Sequence, residues 1–292
     1  MIRKMGTSLT QLDREQFPSL LKEIDDPPEK LYIRGALPPE DHVFLCVVGS
    51  RKASRYGREV CREIIGGLSG LPVVIVSGLA LGIDAEAHQA ALAAKITTVA
   101  VPGSGLNDAV LYPAQHLSLA RKIIKAGGAL LSEFEPNFTA TRWSFPQRNR
   151  IMAGLSHGIL IIEAEERSGT LITARLGLEY NREICAVPGS IFSPTSSGAN
   201  RLIRDGAYPV TSSADVMTVF GLRRDDGNSE QITDELTDEE RRLLSLLQEP
   251  RSRSDLAAES GLPVHTVNTI LSSLELKGAI SEQNGVITLK KH

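Results

Sequence analysis

From residue 43 to about residue 220 the apolar positions fall into short runs at near-regular intervals. The first run is Val43-Phe44-Leu45-Cys46-Val47-Val48, and it ends at Gly49. An unbroken, β-branched apolar run closed by Gly predicts a strand buried on both faces, followed by a tight turn into a helix. Further runs occupy 73–77, 97–101, 129–134, 158–164 and 183–187. Between them the apolar positions take helical spacing, as in 83–94 and 117–126. Alternating strands and helices predict an α/β fold: a doubly wound, mainly parallel sheet with helices on both faces. Such sheets bind ligands at the carboxyl ends of their strands.

The flanks read differently. Residues 1–41 are irregular, with one short helix expected over 16–24, stopped by Pro27-Pro28, and a second break at Pro38-Pro39. They are expected to pack on the main domain, 42–222, as a lead-in. Residues 223–235 are acidic and polar, the composition of a linker. In 236–292, Thr237 and Glu240 have capping-box spacing, so a helix is expected to start there. A second helix is expected from Ser252 to Gly261 and a third after Pro263. Alternation around Asn284-Gly285 then signals a β-hairpin. Three helices and a hairpin predict a small winged-helix domain.

Charge adds one asymmetry. The chain of 292 residues carries a formal net charge of −3, yet residues 42–222 hold 17 Lys and Arg against 14 Asp and Glu. That balance permits a polyanionic partner on the largest segment. Cys46, Cys61 and Cys185 have no metal-binding or C-x-x-C spacing. Cys46 and Cys185 lie in apolar runs, which suits buried thiols of a cytoplasmic protein. No run is long and apolar enough to span a membrane, and no secretion signal is recognisable.

The familiar phosphate fingerprints are missing. Gly103-Ser104-Gly105 starts a G-x-G-x-x-G pattern that Asp108 breaks, and no P-loop motif occurs. His88 and His116 stand alone, as structural histidines usually do. Instead, polar or Gly-rich turns follow almost every predicted strand: Gly49-Ser50-Arg51, Ser77-Gly78, Pro102-Gly103-Ser104-Gly105, Ser168-Gly169-Thr170 and Pro188-Gly189-Ser190. A parallel sheet would bring them to one edge as a polar groove. After the fourth strand, Arg142, Arg148 and Arg150 lie close to Trp143 and Phe145. Planar cations beside aromatic rings suit single-stranded nucleic acid, with phosphates on the cations and bases on a ring. A structural alternative puts Phe145 in the core and the arginines in salt bridges with Glu133 and Glu135. Asp84 and Glu179 could be catalytic acids, or a helix cap and a residue deep inside a helix.

Several motifs now follow in one order and spacing. They are Gly49-Ser50-Arg51, Ser77-Gly78-Leu79-Ala80 through Gly82-Ile83-Asp84 to Ala87-His88, Phe145-Pro146-x-Arg148-Asn149-Arg150, Ser168-Gly169-Thr170-Leu171-Ile172-Thr173-Ala174 and Ala186-Val187-Pro188-Gly189. Over roughly 43–220 the chain resembles the DNA-processing protein A family (DprA, also called Smf). The resemblance implies a protein that binds single-stranded DNA without sequence preference, loads the RecA recombinase during natural transformation, and forms a homodimer through its Rossmann-like domain. No catalytic group, cofactor or metal is expected. The expected DNA contacts are Gly49, Ser50, Arg51, Arg142, Phe145, Arg148, Asn149, Ser168, Gly169, Thr170 and Gly189, with Phe145 as first choice for base stacking and Trp143 as second. Two departures stand out: residues 1–41 are too short for the helical domain that many members carry, and Gln147 adds no charge to its motif.

Two other function classes compete. The lysine-decarboxylase-like nucleotide phosphoribohydrolases share this general fold, but Pro102-Gly103-Ser104-Gly105-Leu106 lacks the second Gly, the Thr and the Glu of their motif. A sensor of a small nucleotide is the other. The expected third winged helix has no Lys or Arg between Pro263 and Leu276, and residues 235–292 carry 7 basic against 9 acidic residues. Strong duplex binding by that domain alone is therefore not expected.

Overall fold

The computed structural model describes residues 8–224, 237–247, 251–276, 280–283 and 286–289. These belong to two compact units, the first ending at Arg224.

The first unit is built on a nine-stranded sheet. In chain order its elements are β1 Thr10–Leu12, α1 Ser19–Lys22, β2 Leu31–Gly35, β3 Val43–Val48, α2 Arg55–Gly66, β4 Val73–Ser77, α3 Ile83–Ala93 and β5 Thr97–Ala100. Then come α4 Leu117–Lys125, β6 Ala129–Ser132, α5 Ser144–Leu155, β7 Gly158–Ile161, α6 Gly169–Glu179, β8 Glu183–Ala186, α7 Ser197–Arg204, β9 Tyr208–Pro209 and α8 Ser213–Val219. The strand order is β1-β2-β6-β5-β4-β3-β7-β8-β9. All pairs from β6 to β9 are parallel. The six expected strands are all present, several ending a residue or more earlier.

Alternation along β3 shows why the strand is buried on both sides. Phe44, Cys46 and Val48 point into one core with Leu21 of α1, Met152 of α5, Ala174 of α6 and Ala199 of α7. Leu45 and Val47 point into the other, with Ile64 of α2, Ala87 of α3 and Val216 of α8. Leu119 and Ile123 of α4 cover the far end of the sheet over Leu130. Full burial of each Val, Leu, Ile, Phe or Met among these is worth about 1.5–3 kcal/mol, so the layered core fixes the sheet.

The N-terminal segment differs from expectation. It joins the sheet itself: β2 pairs antiparallel with β6, and β1 pairs antiparallel with β2. The helix expected over 16–24 is a 3-10 turn, Arg14–Gln16, followed by the one-turn α1. Leu31-Tyr32-Ile33 is too short a run, framed by prolines, to announce a strand; its partner β6 supplies the signal.

The topology fixes where a site can form. Strands β3, β4, β5 and β6 progress to one side of β3, and the chain then returns to place β7, β8 and β9 on the other. The turn of direction lies between β3 and β7. Helix α5 makes the return crossing, and it touches both β3 and β4.

The second unit contains helices Asp238–Leu246, Arg253–Ser260 and Val264–Leu276, and a three-stranded sheet of Arg251–Ser252, Val286–Leu289 and Ile280–Gln283 in that order. Thr237 caps the first helix in a capping box with Glu240, and Gly261 ends the second with φ +67°. Leu243, Leu256, Leu271, Leu274 and Ile287 form its own core. This is a winged-helix arrangement. The hairpin turn at Asn284-Gly285 and nearly all of the expected linker lie outside the described residues.

Candidate nucleic-acid interface

Three segments meet at the reversal point between β3 and β7: residues 49–52 after β3, residues 165–170 after β7, and the start of α5. Together they line an open cleft of about 590 Å³. Ten of the eleven expected contact residues line it: Gly49, Ser50, Arg51, Arg142, Phe145, Arg148, Asn149, Ser168, Gly169 and Thr170. Lys52 and Arg167 line it too, so five cations face Asp84 and Glu165. Sequence reading missed Lys52 and Arg167, although each adjoins a motif residue.

The turn after β3 is held by backbone packing. A Cβ on Gly49 would lie 2.6 Å from Ile83 Cγ1, and one on Gly82 (φ +81°) would lie 2.2 Å from the Ser50 carbonyl oxygen. The Ile83 N–H donates to that carbonyl at 3.2 Å, and the Lys52 N–H donates to Ser50 Oγ at 3.1 Å. Glycine therefore lets two strand-end turns touch, which presents Arg51 and Lys52 outward.

Arg51 and Arg148 have opposite situations. Arg51 is exposed, with its guanidinium 4.9 Å from the centre of the Phe145 ring. Arg148 is 4% exposed. Its Nη1 donates to the carbonyls of Gly78, at 2.5 Å, and Val101, and its Nε donates to Asn149 Oδ1 at 3.2 Å. A Cβ on Gly78 would collide with the guanidinium. Asp84, also buried, accepts from the Gly78 N–H at 3.1 Å. Burial pushes the Asp84 carboxyl up from the usual carboxylate range, and the Arg148 charge pulls it back down. Arg148 thus ties α5 to the ends of β4 and β5 from below. The expectation that it is a free phosphate contact does not fit this placement, because the side chain is buried and its Nε and Nη1 donate inside the protein.

Phe145 stands half-buried on the turn after β5. A Cβ on Gly103 would lie 2.7 Å from Phe145 Cδ1. Buried Ser144 donates from Oγ to the Gly103 carbonyl at 2.6 Å and so anchors the start of α5. That turn is itself filled, with Ser104 fully buried, so it does not reach the groove as expected. Tyr112, 48% exposed, lies beside Phe145 with ring centres 5.5 Å apart. No local motif marks Tyr112 in the sequence. Trp143 is 71% exposed, with the Arg142 guanidinium 5.0 Å from its ring centre. The aromatic surface therefore consists of two ring-and-cation pairs and a tyrosine.

Across the cleft, Ser168 caps α6 by accepting from the Thr170 N–H at 3.2 Å. A Cβ on Gly169 would meet nothing within 4 Å, so no packing inside the protein demands glycine there. Gly189 lies elsewhere, in a second cleft with Ser54, Tyr56, Glu163, Pro188 and Ser190. It exchanges two hydrogen bonds with the Asn200 side chain, at 3.1 and 3.0 Å.

The remaining sequence candidates are structural or apart. Arg150 forms ion pairs with Glu133 and, at 3.4 Å, with Asp26. Glu135 pairs with Lys30 at 2.9 Å, not with an arginine of α5. Glu179 is exposed at the far end of α6, away from Asp84, which takes a hydrogen bond from the Gly78 turn. His88 is buried, with Nδ1 2.7 Å from the Thr98 hydroxyl. All three cysteines are buried and free. Among the described residues no helix is long and apolar enough to cross a membrane, and no group of His, Cys, Asp and Glu side chains could hold a metal.

Comparison with known proteins adds to this geometry. Residues 8–221 match the family model of DNA recombination-mediator protein A, and residues 228–285 match that of the DprA winged helix domain. The chain is 39% identical to Protein Smf of Escherichia coli over 285 residues, 95% of this chain and 76% of that protein. The X-ray structure of DNA processing protein A from Streptococcus pneumoniae superposes with a TM-score of 0.68 at 39% identity, covering 73% of this chain and 75% of that one. A structure of DNA processing protein A from Helicobacter pylori, described for its single-stranded DNA binding mode, superposes with a TM-score of 0.64 at 27% identity, covering 73% of this chain and 95% of that one.

Proposed function

The chain belongs to the DNA recombination-mediator protein A family, and from that membership and the cleft at the β3–β7 reversal we propose that it binds single-stranded DNA as a binding protein, not an enzyme. In this reading it protects incoming DNA and loads the RecA recombinase onto it in the cytoplasm during natural transformation. The observation that carries the reading is the cleft itself: four exposed cations, Arg51, Lys52, Arg142 and Arg167, against the exposed carboxylate of Glu165, with the half-buried Phe145 ring in its lining. Arg51, Lys52, Arg142 and Arg167 hold phosphates. The N–H groups at the start of α6 add neutral donors, and Gly169 keeps the backbone there open to close approach. Bases stack on the surface made by Phe145, Tyr112 and Trp143. Arg148 and Asn149 support the site from beneath. A homodimer through this unit would join two such clefts and raise avidity.

The phosphoribohydrolase alternative has less support. Its motif would fall on the turn after β5, which in this chain is filled by buried Ser104. Incubation with nucleoside monophosphates should release no free base.

The test is fluorescence anisotropy with single- and double-stranded oligonucleotides at two salt concentrations. Single strands should bind more tightly, and log K should fall linearly with log salt. Equal or tighter duplex binding, or affinity independent of salt, overturns the reading.

A further inference from the structure

The second cleft, about 460 Å³, adjoins the first, because residues 49–52 border one and Ser54 and Tyr56 border the other. Its outer lip is a tight turn. The Ser193 N–H donates to the Ser190 carbonyl at 3.0 Å, and the Phe192 N–H donates to Ser190 Oγ at 3.3 Å. Ile191 and Phe192 occupy the tip and are 85% and 90% exposed. The base of this loop is tied down. Asn200 clasps Gly189 in both directions, and Thr195 Oγ1 donates to the buried Glu163 carboxylate at 3.0 Å. Ser54 Oγ donates to the same carboxylate at 2.5 Å, and the Tyr56 hydroxyl donates to the Pro188 carbonyl at 2.8 Å. The fold therefore holds two large apolar side chains outward on a braced loop, which marks a contact surface.

The surroundings indicate what it contacts. Tyr56 is 46% exposed on the same cleft. Lys52 and Arg58 are exposed and have no carboxylate partner among the described residues, whereas Arg55 is held by Glu59 at 2.7 Å. Exposed aromatic rings near cations that no carboxylate neutralises form the combination that takes single strands, with phosphates on the cations and bases on the rings. An apolar protein partner would have no use for the cations.

We propose that Tyr56 and Phe192 form a second base-stacking subsite, which receives the single strand where it leaves the first cleft across Lys52. The proposal rests on the reading of the first cleft as a single-strand site. It extends the path over the α2 side of the sheet edge and assigns a role to the 188–196 loop.

The test measures anisotropy with two oligothymidylates, one of about 6 nucleotides and one of about 20, chosen around the site sizes usual for single-strand grooves. Wild type should gain affinity with length. Phe192→Ala should bind the short strand as wild type does and the long strand at least roughly five-fold more weakly, the low end for loss of one stacked base. Phe192 is so exposed that the variant should fold normally, which circular dichroism checks. Wild-type affinity for both lengths in Phe192→Ala overturns the proposal. So does a lower mass by light scattering accompanying the loss, because the apolar pair is then a contact between copies. A wild-type protein that binds the short strand with no gain from length overturns the second subsite alone. Binding to neither length overturns the first cleft and the second together.

Discussion

Arg51 and Arg148 have the same side chain and opposite work. Arg51 lies on the surface over Phe145, so Arg51→Ala should leave stability within about 0.5 kcal/mol. It should weaken binding to all single strands alike and lower the salt slope by about 0.7, one phosphate contact on a single strand. Unchanged affinity and slope in the folded variant would remove Arg51 from the site. Arg148 is the buried tie between α5 and the ends of β4 and β5. Arg148→Met should cost about 3–5 kcal/mol of stability, because it strands buried Asp84 and two carbonyls. Urea unfolding checks this, and a loss under 1 kcal/mol contradicts the tie. His88 adds a pH dependence. Burial pushes its imidazole down to about 3, against 6.5 in the unfolded chain. The unfolded state then takes up the proton first, so stability is intact above pH 6.5 and falls as pH drops from there toward 3, by up to about 1.4 kcal/mol per pH unit. His88→Gln should flatten this part of the profile of urea midpoint against pH. At this scale the sequence shows residue type and order well. It placed Arg51, Phe145 and the start of α6 together because a parallel sheet gathers its strand ends. It could not separate Arg148 from Arg51, because burial of Arg148 depends on α5 crossing two strands. Tyr112 was illegible for a similar reason: it reaches Phe145 from a distant loop.

Elements show the same division. The six core strands are readable because both faces of each are buried, leaving unbroken apolar runs. Strands β1 and β2 are not, since β2 gains its identity by pairing with β6 at the sheet edge. That edge is clamped by Arg34 of β2, whose Nη1 donates to Asp108 at 2.6 Å, and by Arg121 of α4, at 2.7 Å from the same carboxylate. These two guanidiniums hold the Asp108 carboxyl below its usual range. A depressed carboxylate contributes stability above its unfolded pKa and loses it as pH falls through the folded value. Asp108 is 37% exposed, so solvent screening limits the effect, and Asp108→Asn should cost about 0.5–1 kcal/mol near neutral pH and little in acid. The third helix of the winged-helix unit, Val264–Leu276, carries no Lys or Arg. Without several phosphate contacts it lacks the main source of duplex affinity. Residues 235–292 expressed alone should bind duplex DNA no more tightly than the ~10⁻⁴–10⁻⁶ M typical of non-specific binding. A dissociation constant well below that range at near-physiological salt refutes the expectation.

For the whole molecule, the deciding feature is the reversal of strand order. A sheet that progressed in one direction only would scatter its strand-end turns along an edge. Reversal between β3 and β7 leaves a gap beside β3, and the return helix α5 brings Phe145 and Arg148 to it, with Arg142 just before the helix. This explains why ten residues chosen from separate sequence motifs share one cleft and why Gly189, after β8, does not. Removing residues 225–292 should leave most single-strand affinity intact, and a large loss would place part of the site in the second unit. Light scattering at micromolar concentration should show a dimer that survives this deletion, because the proposed joining surface is on the first unit. The most direct measurement is photocrosslinking of a single strand carrying 5-iodouracil, followed by mass spectrometric mapping of the attached peptides. If the cleft holds the strand, the crosslinks fall on peptides containing Phe145, Trp143 or Tyr112. Crosslinks confined to residues 237–289, or to the opposite end of the sheet, contradict it.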